Sequence, residues 1–165
     1  MAPQISKIVD DKRAIQLLLS AGNLVEQFHE SGQVTDIDEA IYFLHEGPAL
    51  MPAHHPKHLL GSSLLADALS TRFTQSGQND DLEEAIMLHR DVLELQPPPH
   101  PGRPNSLYNL ASALNTRFST SGRREDLDEA ILLNRNALEL GPSSHPHRFG
   151  LLYELANTLL ARFHQ

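Results

Sequence analysis

Ten histidines are the first residues in this sequence that suggest chemistry. His55, His100 and His145 recur at steps of 45 residues, each just before a proline, and His54, His58 and His147 lie close by. Imidazoles are common zinc ligands, but zinc needs three or four donors converging on one point. The three recurring histidines belong to successive copies of one loop, so the expectation is no metal site. Cysteine is absent, which excludes disulfides, thiolate metal sites and cysteine nucleophiles. The carboxylates form the second pattern. Asp36, Asp81 and Asp126 are each followed three residues later by Glu39, Glu84 and Glu129. Paired carboxylates can bind cations or transfer protons. At this spacing they also form a capping box, in which the Asp and Glu satisfy free amides at a helix start, and that is the expected role. Asp38, Glu83 and Asp128 would add to it by facing the positive end of the helix dipole. Arg72, Arg117 and Arg162 form the third pattern. They could line a ligand face. The expected role is an ion pair with the acidic start of the following helix, at Asp126 or Glu129 for example. No phosphate-binding glycine loop, HExxH or G-x-S-x-G motif is present. The sequence therefore predicts no catalytic residue, no cofactor and no enzyme activity.

All three patterns are carried by one repeat. Thr116 to Ile131 reads T-R-F-S-T-S-G-R-R-E-D-L-D-E-A-I, and degraded copies run 71–86 and 26–41. Phe28, Phe73, Phe118 and Phe163 keep a step of 45 residues, as do Gly32, Gly77 and Gly122. Between 62–97 and 107–142, 20 of 36 positions are identical, where chance gives about two or three. A period of this length points to a helical solenoid, in which each repeat packs on its neighbours.

The elements that position these residues are helices. Leu107, Leu110, Ala111, Leu114 and Phe118 form one apolar stripe, and Leu127, Ala130, Ile131, Ala137 and Leu138 form another. No stretch alternates with period two, so no strands are expected. The predicted helices run about 12–29, 36–46, 57–75, 81–95, 104–120, 126–140 and 147–164. The second should end or kink near Glu46, because Gly47-Pro48 follows. Gly22 weakens the first helix. Gly32 and its copies are expected as left-handed residues that close the helices, and prolines at 52, 56, 97–99, 101, 142 and 146 separate the repeats. The predicted architecture is all-α: about three and a half antiparallel helix pairs in one domain, 12–165. Its repeats are 12–56, 57–101, 102–146 and a partial 147–165, after an N-terminal arm, 1–11.

Ala130, Asn134, Ala137 and Pro142, at spacings of four, three and five, resemble the second helix of a tetratricopeptide (TPR) repeat, A-x3-F-x2-A-x4-P. Leu110-Ala111 and Leu114 resemble its first helix. Two features depart from that pattern. The usual aromatic is replaced by Leu44, His89 or Asn134, and the repeat has 45 residues rather than 34. The added residues lengthen each helix by about one turn, and the repeated phenylalanine should fill the space so created. The whole pattern also resembles the arrays of large fungal TPR proteins, which are often linked to a CHAT peptidase domain. That domain is not in these residues, and no protease activity carries over. The resemblance implies a right-handed superhelix whose first helices line a concave groove. The groove positions are Ser63, Asp67 and Ser70; Tyr108, Ser112 and Asn115; and Tyr153, Asn157 and Leu160. The tyrosines suit anchoring of an extended peptide. Grooves that clamp acidic C-terminal tails use lysine, and Ser63, Asp67, Tyr108 and Ser112 provide none, so an E-E-V-D tail is not expected to bind.

The net charge of −8 disfavours nucleic acid and anionic membrane surfaces. The charged N-terminus does not read as a signal peptide, and no stretch approaches the roughly 18 apolar residues of a membrane span. These features predict a cytoplasmic protein. The functional expectation is a non-catalytic scaffold that binds a protein or peptide in the groove. The alternative is a regulatory repeat fragment of a larger signalling or CHAT peptidase-linked protein. The final helix is more apolar than its internal copy, with Leu151 and Leu160 where helix five has Ser106 and Asn115. Leu151, Leu152, Leu155, Leu159 and Phe163 cannot all face helices five and six, so a surplus, with Leu151 and Leu160 at its outer positions, is expected to form an exposed apolar patch that promotes self-association through 147–165.

Overall fold

The computed structural model describes residues 2–52, 55–141 and 148–163. Among them are seven helices and no strand: α1 (Ala2–Ser31), α2 (Val34–Ala49), α3 (Pro56–Ser76), α4 (Asn79–Glu94), α5 (Arg103–Ser121), α6 (Arg124–Leu140) and α7 (Arg148–Phe163). The chain forms two compact units, Met1–Leu88 and His89–Gln165. In the first, α1 packs on α2 and α2 on α3. In the second, α5 packs on α6 and α6 on α7. The expected helices are all present. The first starts at Ala2 rather than near Lys12. Ile37, Leu44 and Leu69 are among the most deeply buried side chains of the first unit, and Leu107, Leu110, Leu114 and Ile131 of the second.

Glycine closes three helices as its spacing predicts. Gly32, Gly77 and Gly122 each adopt φ 69°, where a side chain would be strained. Their N–H groups donate to the carbonyls of Phe28, Phe73 and Phe118 at 2.7, 2.8 and 2.8 Å. One recurring five-residue pattern, Phe-(x)3-Gly, therefore stops each first helix at the same point of its repeat.

The helix starts differ from expectation. α2 and α6 begin two residues before Asp36 and Asp126, and α4 begins two before Asp81. The caps of α2 and α6 are Gln33 and Arg123, and neither makes a side-chain capping bond. The aspartates sit inside the first turn, so the predicted capping box does not form. Asp81 and Asp126 are instead clasped by arginine. Arg72 donates from Nε and Nη2 to the two oxygens of Asp81 at 2.8 and 2.6 Å. Arg117 does the same to Asp126 at 2.8 and 2.7 Å. Both carboxylates are buried. A bidentate guanidinium compensates a buried carboxylate better than one capping amide. Asp36 has Gln27 nine residues before it rather than arginine, and its carboxylate accepts from Ser31 Oγ at 3.1 Å.

The second helix does not stop at Glu46. α2 continues through Pro48 to Ala49. Pro48 lies in the last turn, where its missing N–H removes a single ladder bond. The following amides of Leu50 and Met51 bond to the carbonyls of Gly47 and Pro48. Packing holds this turn in place. A Cβ on Gly47 would lie 3.3 Å from Leu18, and one on Gly61 would lie 2.6 Å from the Pro48 ring and 2.9 Å from Leu18. α1, α2 and α3 converge here because two positions lack side chains. At the same level of the second unit, Leu151 is buried at 2% exposure in a cluster with Leu107 and Ala137. Leu151 is therefore a core residue and not part of an exposed surplus. Of the two leucines expected outside, only Leu160 is exposed, at 56%.

Candidate functional site

Helical spacing puts Ser112, Asn115 and Ser119 on one face of α5, and Glu154, Asn157, Thr158 and Ala161 on one face of α7. These faces border a cleft of about 300 Å³, whose lining also includes Phe118 and Leu127. Asn115 spans it. Its Nδ2 donates to Glu154 Oε2 at 3.1 Å and to Thr158 Oγ1 at 2.9 Å. The Thr158 hydroxyl donates to the carbonyl of Glu154 at 2.7 Å. Among the described residues of the lining, Glu154 is the one charged side chain. The neighbouring arginines are turned to other acids: Arg117 to Asp126, and Arg162 to Asp128 at 3.1 Å. The cleft thus has mixed polar and apolar walls and carries a negative charge.

Of the groove positions expected from sequence, the cleft brings together Ser112, Asn115 and Asn157. Tyr108 lies one turn before it on α5. Its hydroxyl would be 3.8 Å from a Cβ on Gly150. Burial and the nearby Glu154 charge push its pKa up. Tyr153 and Leu160 are exposed on α7 but do not line the cleft. Ser63, Asp67 and Ser70 lie on α3 in the other compact unit. Ser63 Oγ donates to the carbonyl of Leu59. Ser70 Oγ is buried without a hydrogen-bond partner among the described residues. Asp67 is open to solvent on one side, yet the protein around its carboxyl raises its pKa to about 6 by desolvation. Glu154 and Thr158 were not expected. Their repeat equivalents are Asn109 and Ala113, so they break the pattern from which the groove was read.

The recurring histidines act in turns. His55 Nδ1 accepts from the amide of Lys57 at 3.1 Å, and His100 Nδ1 accepts from that of Gly102 at 3.1 Å. His58 Nδ1 lies 3.1 Å from the carbonyl of Pro48. His54, His145 and His147 lie outside the described residues. Among the described residues, no helix is long and apolar enough to cross a membrane.

No protein-family model and no curated protein matches this sequence. A solved structure matches its fold. It is a Podosopora anserina protein described as a kinesin light chain with nearly identical TPR-like repeats. The two share 24% identity with a TM-score of 0.62, over 90% of this chain and 68% of that one. The chain has the TPR-like repeat fold. Its TPR-like repeats carry two departures from the usual sequence pattern. The first is the 45-residue step. The second is the set Leu44, His89 and Asn134 at the usual aromatic position, all three buried.

Proposed function

We propose that this TPR-like chain is a non-catalytic protein-interaction scaffold that receives a peptide segment in the α5–α7 cleft. The supporting observation is the cleft itself. It is large enough for one long side chain and is lined by polar groups from two successive first helices. Its single charge, on Glu154, favours a lysine or arginine of the partner over an acidic residue. Tyr108 and Tyr153 stand next to it in sequence and supply apolar area with polar tips. A displayed library of random peptides, selected on the purified chain, tests this reading. Selected peptides should carry lysine or arginine. Glu154→Gln should weaken them about tenfold, and Asn157→Trp, which fills the cleft from an exposed position, should abolish binding. Failure to enrich any peptide, or equal binding to wild type and both variants, would refute the proposal.

A further inference from the structure

The repeat supplies its own description of what fits the bare side of α7. On α5, Leu107, Leu110, Ala111 and Leu114 are at most 2% exposed, and α6 packs against that helix. The same positions one repeat later are Leu152, Leu155, Ala156 and Leu159. Leu152 is 48% exposed, Leu159 38%, Ala156 is exposed and Leu155 is half-buried. Phe28 and Phe73 are buried, whereas their equivalent Phe163 is 83% exposed. An apolar stripe that is covered on α5 is thus presented open on α7.

A charge accompanies the stripe. Arg72 reaches in two directions: back to Asp38 on the preceding second helix at 2.9 Å, and forward to Asp81 in the first turn of the next. Arg117 makes the same forward clasp on Asp126. Arg162 occupies the equivalent position and makes the backward contact, to Asp128, with its side chain 58% exposed. The forward partner in both other repeats is an aspartate nine residues on, at the third position of a helix. That helix continues Asp-Leu-x-Glu-Ala-Ile in both cases.

From this conjunction of an open stripe and a half-used guanidinium, we propose that α7 docks an amphipathic helix of the α6 kind. Its first turn carries an aspartate for Arg162, and its leucine, alanine and isoleucine cover Leu152, Ala156 and Leu159. This surface is separate from the α5–α7 cleft, and the proposal stands whether or not a peptide binds there. A synthetic peptide with the sequence of residues 122–141 is the probe, titrated against the full chain by fluorescence anisotropy. It should bind saturably, and Asn157→Trp in the chain should leave its affinity unchanged. Phe163→Ala, at a position too exposed to threaten the fold, should weaken it several-fold. Arg162→Ala in the chain and Asp126→Ala in the peptide should each weaken it about tenfold, and together no more than either alone, because they remove the same pair. Absence of peptide binding would overturn the proposal. So would additive effects of the two charge substitutions, or light scattering showing that the face is closed by a second copy of the chain and does not open to the peptide.

Discussion

Asn134 is fully buried, and neither Nδ2 nor Oδ1 of its amide has a hydrogen-bond partner among the described residues. Desolvating such a group without compensation costs about 1–3 kcal/mol. Its repeat equivalent in α2 is Leu44, buried at 1% exposure. Asn134→Leu should therefore raise the stability to urea by about 1–3 kcal/mol, read as a higher midpoint with unchanged slope. A lower midpoint would mean that the amide is satisfied. The third member of the set, His89, makes a pH prediction. Burial lowers its pKa from 6.5 to about 4. The unfolded chain therefore takes up the proton first as pH falls. The stability contributed by neutral His89 is present above pH 6.5 and is lost progressively between about 6.5 and 4, at up to about 1.4 kcal/mol per pH unit. Urea midpoints at pH 7 and pH 5 should differ less in His89→Leu than in wild type; an equal difference would place the titrating group elsewhere. The sequence showed that this position departs from the TPR pattern. It did not show that the Asn134 amide is buried without a partner among the described residues, which depends on neighbours distant along the chain.

Helix ends and helix crossings differ in how far they could be read from the sequence. The left-handed glycines were legible because only one residue type relieves a local backbone requirement. The starts were misread for a different reason. Asp-x-x-Glu fits a cap, but the same aspartate fits an arginine nine residues earlier, and sequence spacing does not rank the two. The structure does, since Asp81 and Asp126 are buried and clasped at both oxygens. Pro48 was read as a stop because its local effect is unfavourable. Its packing against the space left by Gly61 outweighs that effect. Two glycines show the same contrast between local and tertiary effects. Gly22, within α1, has nothing within 4 Å of an added Cβ. Gly22→Ala should stabilise the chain by up to about 1 kcal/mol through helix propensity alone. Gly61→Ala meets the Pro48 ring and Leu18 and should destabilise it by about 1–3 kcal/mol. Thermal melts of the two variants should shift in opposite directions, and a rise for Gly61→Ala would show that α3 can move away from α2 without loss.

At the scale of the molecule, a repeat chain draws its stability from neighbour-to-neighbour packing, so stability varies along its length. The all-helical TPR-like architecture was legible because a repeated pattern of 45 residues restates the same packing several times. On the last helix the expected exposed surplus is present at Leu152, Leu159, Leu160 and Phe163, and Leu151 alone was misplaced, because its position was judged by polarity. Leu151 sits where Gly61 and Ser106 sit, and its larger side chain is buried in the cluster with Leu107 and Ala137. Replacing Leu151 by the serine of α5 would therefore remove buried area and relieve no exposed patch. α7 has few such anchors: only Leu151 and Thr158 are buried, whereas α5 buries seven residues, from Pro104 to Leu114. Amides of α7 should exchange with solvent sooner than those of α5 in hydrogen-exchange measurements. Leu151→Ser should widen this gap, accelerating α7 by about fivefold or more, since even half of a typical core-leucine loss is about 1 kcal/mol. Exchange within α1 and α2 should stay as in wild type. Leu160→Asn, at an exposed position, should change neither. If Leu151→Ser accelerated every helix equally, the chain would be opening as one cooperative body, and α7 would not be the weakly held end that its burial describes.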